Sequence, residues 1–88
     1  MVHLKSKSEI ELIRDSCRIA ADAMACVRDA LAPGVTTAVL DEIAADYIRS
    51  QGAVASAKGY RGYPGSICIS INEEVVHGIP GPRQLRAG

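Results

Sequence analysis

Residues 59–80 read GYRGYPGSICISINEEVVHGIP and bring several unusual features into one short stretch. A glycine-rich loop carries Tyr60 and Tyr63, and the alternating segment Ser66–Ile71 follows it. His77 then stands between a pair of valines and a Gly-Ile-Pro turn. Such a concentration of special residue types is typical of a functional site.

The segment Ser66–Ile71 alternates strictly, which predicts a β-strand with two different faces. Its isoleucines form one face toward the helices, and the other face carries Ser66, Cys68 and Ser70. Small side chains leave space beside a strand, as a ligand cleft requires. A solvent-facing strand is the alternative, but such faces usually carry larger charged residues, so the pattern favours a cleft.

His77 is the group in this stretch best suited to acid–base chemistry, because imidazole titrates at about pH 6.5. The stiff turn after it would hold the ring in place. A structural histidine bonded to a backbone carbonyl explains the same residue equally well. The loop glycines allow Tyr60 and Tyr63 to face a common space, which predicts an apolar pocket beside the strand.

An amphipathic helix is predicted upstream, over residues 8–32. Ser8 and Glu11 have the spacing of a capping box, and Pro33-Gly34 ends the helix. Apolar residues recur every three or four positions and form one stripe: Ile10, Ile13, Cys17, Ala20, Met24, Val27 and Leu31.

A second amphipathic helix is predicted to begin after a cap at Thr36 or Thr37 and to end near Ser50. Gly52 is a natural C-terminal stop. Tyr47 follows the apolar stripe of this helix, so we expect it in the core and not in a site. The short linker between the helices predicts that they pack antiparallel.

The composition limits the protein to one small domain and excludes several functional classes. The 88 residues contain 10 Lys or Arg and 10 Asp or Glu, so charge gives no reason to expect nucleic acid as a partner. No apolar run approaches the ~20 residues of a membrane span, and no signal-peptide segment is present. Cys17 and Cys26 lie about 13 Å apart along one predicted helix, too far for a disulfide. These features predict a cytoplasmic protein.

No metal site is predicted from these residues. The sequence has no His-x-His, His-Glu-x-x-His or Cys-x-x-Cys pattern. Glu73 and Glu74 are adjacent, so on a strand they would point to opposite sides.

Residues 59–80 closely resemble the corresponding stretch of type I methionine aminopeptidases. The positions that carry the resemblance are Gly59, Tyr60, Gly62, Tyr63, Pro64, Ser66, Ile67, Cys68, Ser70, Asn72, Glu73, Val75, His77, Gly78, Ile79 and Pro80. Upstream, residues 5–32 are similar to the first helix of that family, and residues 33–48 to the second. The resemblance therefore covers nearly the entire chain.

The resemblance implies a fold of the α/β (α+β) class. Residues 1–88 would form a single partial domain, the N-terminal part of a pita-bread fold, with two amphipathic helices packed on a partial antiparallel sheet. The implied activity is removal of the initiator methionine from nascent peptides.

The resemblance also implies roles for individual residues. His77 would contact the substrate near the scissile amide and help to stabilise the transition state, without binding metal. Tyr60, Tyr63 and Cys68 would line the pocket for the methionine side chain, where sulfur and aromatic rings suit a thioether. Arg61 stands where some relatives have a histidine. This difference affects the expected detail of the pocket rim and not the main assignment.

The family's two divalent metal ions (Co, Mn, Fe or Zn) are held by two aspartates, a histidine and two glutamates. By the family's layout these ligands would lie beyond Gly88, so the chain is expected to resemble the first third of the enzyme. Alone, it is expected to bind no metal and to be inactive. The implied partners are nascent peptides with N-terminal methionine and the missing C-terminal part, with the ribosome as a further candidate. A non-catalytic peptide- or protein-binding module on the same fold is the alternative.

Overall fold

The computed structural model describes residues 2–88, in which two helices form the framework. Helix α1 spans Lys7–Asp29 and helix α2 spans Thr37–Ser50. A single 3-10 turn, Tyr60–Gly62, lies in the glycine-rich loop. Both predicted amphipathic helices are therefore confirmed.

Helix α1 begins two residues earlier than the sequence analysis predicts. Ser6 is the N-cap, with the Glu9 N–H donating to its Oγ at 3.2 Å and the Ser6 N–H donating to Glu9 Oε1 at 2.8 Å. The predicted box at Ser8 and Glu11 is wrong, because the same three-residue spacing is available one half-turn earlier and adds the Ile10 N–H to Ser6 C=O bond. At the other end, α1 stops before residue 32.

Thr36 caps α2, and its Oγ1 accepts the Val39 N–H at 3.2 Å, as one of the two predicted alternatives requires. Thr37 is buried and has a different task. Its hydroxyl donates to the Gly81 carbonyl at 3.2 Å and accepts the Gly81 N–H at 2.8 Å. The 81–85 segment thereby lies against the start of α2, where the Ala38 N–H also donates to Gly81 C=O.

The core between the helices is small. Ala23, Leu40 and Ala44 are its buried apolar residues, and Leu40 is 1% exposed. Two of these three residues are alanines, so Leu40 supplies most of the buried apolar volume. Tyr47 is half-buried and its hydroxyl donates to Asp22 Oδ2 at 3.2 Å, which links the helices.

The predicted sheet is not confirmed within residues 2–88. The single β-bridge there is antiparallel and joins Thr36 to Gln84. The segment Ser66–Ile71 was predicted as a strand. One backbone hydrogen bond joins it to the chain that returns beside it, from the Ile69 N–H to the Gly78 C=O at 2.9 Å. A longer ladder is prevented because the returning chain adopts positive φ at Val76 (45°) and His77 (54°), which is incompatible with a regular partner strand.

Candidate functional site

His77 and Cys68 meet at the candidate site. The Nδ1 atom of His77 lies 3.8 Å from the Cys68 Sγ, and both residues are exposed. Two bonds hold their segments side by side: Ile69 N–H to Gly78 C=O at 2.9 Å, and Gly78 N–H to Ser70 Oγ at 3.0 Å. The imidazole is thus exposed to solvent, while the backbone of the next residue, Gly78, is fixed by these two hydrogen bonds.

Gly78 is required where the two segments touch. A Cβ atom at this position would lie 2.0 Å from the carbonyl oxygen of Ile69 and 3.1 Å from the Cα of Ser70. Both neighbours are backbone atoms, which cannot move away as a flexible side chain would. The glycine after His77 therefore permits the close approach that positions the imidazole near Cys68.

The Tyr63 side chain also links the segment that contains Cys68 to the segment that contains His77. Its hydroxyl lies 2.9 Å from the carbonyl oxygen of Ile67 and 3.0 Å from that of Gly78, so one proton is shared between two acceptors. Burial, followed by the neighbouring Cys68 and Asp41, raises the pKa of Tyr63 from 10.0 to about 12. The phenol is a neutral hydrogen-bond donor at physiological pH.

Asp41 anchors the start of residues 66–71, here called the site segment, and its role was not predicted from the sequence. One carboxylate oxygen accepts the N–H groups of Ser66 at 2.8 Å and Ile67 at 2.9 Å. Asp41 lies in the stretch that resembles the family's second helix, and only this similarity could have indicated a role. Its position near the N-terminal end of α2, just after the first turn, explains how the helix fixes the strand-like segment in space.

Tyr60 makes its contact elsewhere. Its ring is 65% exposed, and the Arg61 guanidinium lies 5.4 Å from the ring centroid. Of the four residues expected at the site, Tyr63, Cys68 and His77 are brought together by the contacts described above. Tyr60 is tied to Tyr63 through the backbone, its carbonyl accepting the Tyr63 N–H at 2.9 Å, but within residues 2–88 its side chain makes no hydrogen bond to the other three.

An open apolar depression, here called the α1 groove, runs beside these residues. Its volume is about 970 Å³, and its walls are one side of α1, residues 53–57 and residues 66–70. Leu12, Met24 and Val54 lie on its walls and are 68%, 73% and 88% exposed. Cys68 belongs to the wall of the groove, which therefore borders the candidate site.

The described residues do not fit a metal centre. Within residues 2–88, no three His, Cys, Asp or Glu side chains are grouped so that they could hold a metal ion. Glu73 is engaged instead with Arg83 at 3.2 Å, and its pKa is lowered by a backbone hydrogen bond and by that arginine. The site as described offers an imidazole, a thiol and a phenol, but no set of metal ligands.

Across residues 2–88, neither helix has the length and apolarity needed to span a bilayer.

The pH dependence of stability provides a test of the Tyr63 contacts. Because its pKa is raised in the fold, Tyr63 contributes stability that is fully present below pH 10.0 and is lost as the pH rises through about 12. We expect Tyr63→Phe to remove this alkaline loss, measured as the free energy of unfolding in urea at several pH values. Tyr60→Phe is the matched control, and identical pH profiles for the two variants would contradict the prediction.

Comparisons with known proteins identify the family of this chain. The model of metallopeptidase family M24 matches residues 11–88. Methionine aminopeptidase 1 of Bacillus subtilis is 46% identical over 88 residues, covering 100% of this chain and 36% of the relative. A methionine aminopeptidase of Clostridium acetobutylicum is 46% identical over 85 residues, covering 97% of this chain and 34% of the relative.

A solved structure gives the same result. The crystal structure of methionine aminopeptidase from Rickettsia prowazekii matches with a TM-score of 0.95 at 33% identity, covering 100% of this chain and 36% of that one. The chain thus spans about a third of the length of the relatives that it matches.

Proposed function

Since the chain belongs to metallopeptidase family M24 and corresponds to the N-terminal portion of a type I methionine aminopeptidase, we propose that it supplies the substrate-binding wall of such an enzyme. The reaction would be removal of the initiator methionine from nascent peptides. The observation that carries the proposal is the 3.8 Å approach of the His77 Nδ1 to the Cys68 Sγ, in a chain whose backbone follows that of a methionine aminopeptidase.

In this proposal His77 donates a hydrogen bond to the substrate near the scissile amide, where charge develops on the carbonyl oxygen in the transition state. Gly78 positions the ring by permitting the close contact with Ile69. Cys68 and Tyr63 border the methionine side chain, and a polarisable thiol beside a thioether favours this contact. Tyr60 would join them from the loop only when a substrate draws its exposed ring inward.

The family's divalent metal ions activate the attacking water when bound, but the described residues offer no ligand set for them. We therefore propose that the isolated chain is inactive and that its active form includes the polypeptide that follows the matched region in the relatives. The finer fold proposal is that residues 66–71 become part of an antiparallel sheet in that context. A cytoplasmic location, where nascent peptides and the ribosome are found, is part of the same proposal.

Enzyme assays test the proposal directly. The isolated chain, given Met-Ala-Ser with Co(II) or Mn(II), is expected to show no turnover. A hybrid in which this chain replaces the matched segment of the Bacillus subtilis relative is expected to release methionine. In the hybrid, His77→Ala should lower kcat about 100-fold, as loss of a transition-state donor does.

The matched control is His3→Ala, because His3 is exposed and lies near the other end of the chain. Equal kcat values for the two histidine variants would contradict the role of His77. A folded but inactive hybrid would favour the alternative, a non-catalytic peptide- or protein-binding module.

A further inference from the structure

We propose that Ser70 is a positioning residue for His77. Its hydroxyl accepts the Gly78 N–H at 3.0 Å and thereby fixes the backbone that brings the imidazole to Cys68. The inference rests on the proposed function for the part that His77 takes in the reaction. It adds a side chain that acts on the reaction only through the histidine.

The chain turns back after Ile71 in an irregular way. At the tip of the turn, the Ile71 N–H donates to Glu74 Oε1 at 2.8 Å, and the Glu74 N–H donates to the Ile71 C=O at 3.0 Å. At its open end, the Ile69 N–H donates to the Gly78 C=O at 2.9 Å. Between these bonded points, one residue of the outgoing segment is opposite three of the returning segment, 75–77. Extra residues on one side of a pair make a bulge and re-aim the side chains in it, here including the histidine.

The Gly78 N–H lacks the acceptor that a regular antiparallel pair would provide. In such a pair, two facing residues exchange both backbone hydrogen bonds, so this N–H would donate to the Ile69 carbonyl. That oxygen instead lies beside the Gly78 α-carbon, where an added Cβ would be only 2.0 Å from it. Within residues 2–88 the Gly78 N–H has no backbone acceptor, and the Ser70 hydroxyl replaces it. A side chain therefore completes the pairing that the bulge interrupts.

The bulge contains two residues in a conformation that they do not adopt by preference. The φ angle is 45° at Val76 and 54° at His77. Left-handed backbone is costly for a β-branched residue such as valine, so it persists only where neighbouring contacts enforce it. Both side chains are exposed, so core packing does not supply this constraint. The hydrogen bonds of the next residue, Gly78, do supply it.

The two polar groups of Gly78 differ in how many partners they have. Its carbonyl accepts from the Ile69 N–H at 2.9 Å and from the Tyr63 hydroxyl at 3.0 Å, whereas its N–H donates to Ser70 alone. The N–H lies in the peptide plane that begins at the α-carbon of His77, so its direction is set by ψ of the histidine. Loss of the Ser70 hydroxyl would release that angle while both bonds to the carbonyl remain.

Substitutions of Ser70 in the hybrid enzyme test the role. Ser70→Ala should lower kcat about 10-fold and change KM less than about twofold, because the imidazole is misplaced while the pocket remains. Ser70→Thr retains the hydroxyl and should keep kcat within about twofold of the unsubstituted hybrid. Ser50→Ala is the matched control, since it removes an exposed serine hydroxyl that donates to the Tyr47 carbonyl at 2.6 Å on α2.

The His77→Ala background shows whether Ser70 acts through the histidine. Residues that act as one unit have effects that do not add. Removing both side chains should therefore lower kcat no further than His77→Ala does alone. A serine that only stabilises the fold would lower kcat by the same factor in either background.

Nuclear magnetic resonance of the chain itself provides a readout that needs no activity. In Ser70→Ala, the Gly78 amide should exchange with solvent about 10-fold faster, because its acceptor is gone. The nuclear Overhauser contact between the His77 ring and the Cys68 β-protons should weaken at the same time. Ser70→Thr and Ser50→Ala should leave both signals as they are.

The outcomes distinguish this inference from the proposed function. If His77→Ala leaves kcat unchanged, the proposed role of His77 fails, and the resonance measurements still decide whether Ser70 positions the ring. An intact contact between His77 and Cys68 in Ser70→Ala overturns the inference. So does a loss of kcat that persists in full without His77, a Ser70→Thr variant as impaired as Ser70→Ala, or a Ser70→Ala chain that does not fold.

Discussion

Replacing Gly78 with alanine is expected to lower the free energy of unfolding by about 3 kcal/mol, because the added methyl group overlaps backbone that cannot move aside. The new Cβ would lie 2.0 Å from the Ile69 carbonyl oxygen and 2.7 Å from its carbonyl carbon. Separation of the two segments would break the Ile69 N–H to Gly78 C=O bond and the Tyr63 contact with Gly78. Urea denaturation followed by circular dichroism measures the change.

The Gly81→Ala variant is the matched control. A Cβ at Gly81 has the Ile79 carbonyl oxygen as its nearest neighbour, at 3.9 Å, and φ there is not positive. Its stability should differ from that of the original protein by no more than about 0.5 kcal/mol. In the hybrid enzyme, Gly78→Ala should also lower kcat by displacing His77. Equal effects of the two glycine substitutions would show that the contact at Gly78 is not close.

Truncation of Leu40 to alanine is the second change with a large expected effect, about 3 kcal/mol of stability. Leu40 is 1% exposed and is the largest fully buried side chain among the described residues. The other buried apolar residues are alanines, which cannot extend to fill the space that the substitution leaves. A domain of this size has a small stability margin, so the transition midpoint in urea should fall markedly.

Val39→Ala provides the comparison for Leu40→Ala on the same helix. Val39 is 45% exposed, so little apolar contact is lost, and alanine has the higher helix propensity. We expect a change within about 0.5 kcal/mol. A loss for Val39→Ala as large as that for Leu40→Ala would place the core of the protein elsewhere on α2.

The helices could be predicted from the sequence because their signals are local. Apolar spacing, a threonine cap and a stop glycine each act within a few residues of the helix that they define. The start of α1 shows the limit of this reasoning, because Ser6 and Ser8 both have a glutamate three residues on. The choice of Ser6 adds a hydrogen bond that spacing alone does not reveal.

The site was only partly predictable. Tyr63, Cys68 and His77 were expected through the resemblance, but nothing in their spacing shows that an imidazole and a thiol nine positions apart approach to 3.8 Å. That approach depends on positive φ at Val76 and His77, which valine and histidine adopt only when contacts elsewhere enforce it. The anchoring of Ser66 by Asp41 joins residues distant in sequence and was not foreseen.

The sequence by itself determined the two amphipathic helices, the kinship with methionine aminopeptidases and the identity of the chemical groups at the site. These follow from periodicity and residue type, which each position carries independently of the rest of the fold. The tertiary structure alone decided that Gly78 sits against Ile69, that Asp41 holds the site segment, and that one side of α1 is left uncovered by the rest of residues 2–88. Such contacts depend on where distant segments meet, and a hydrophobic pattern shows that a face needs cover without showing what covers it.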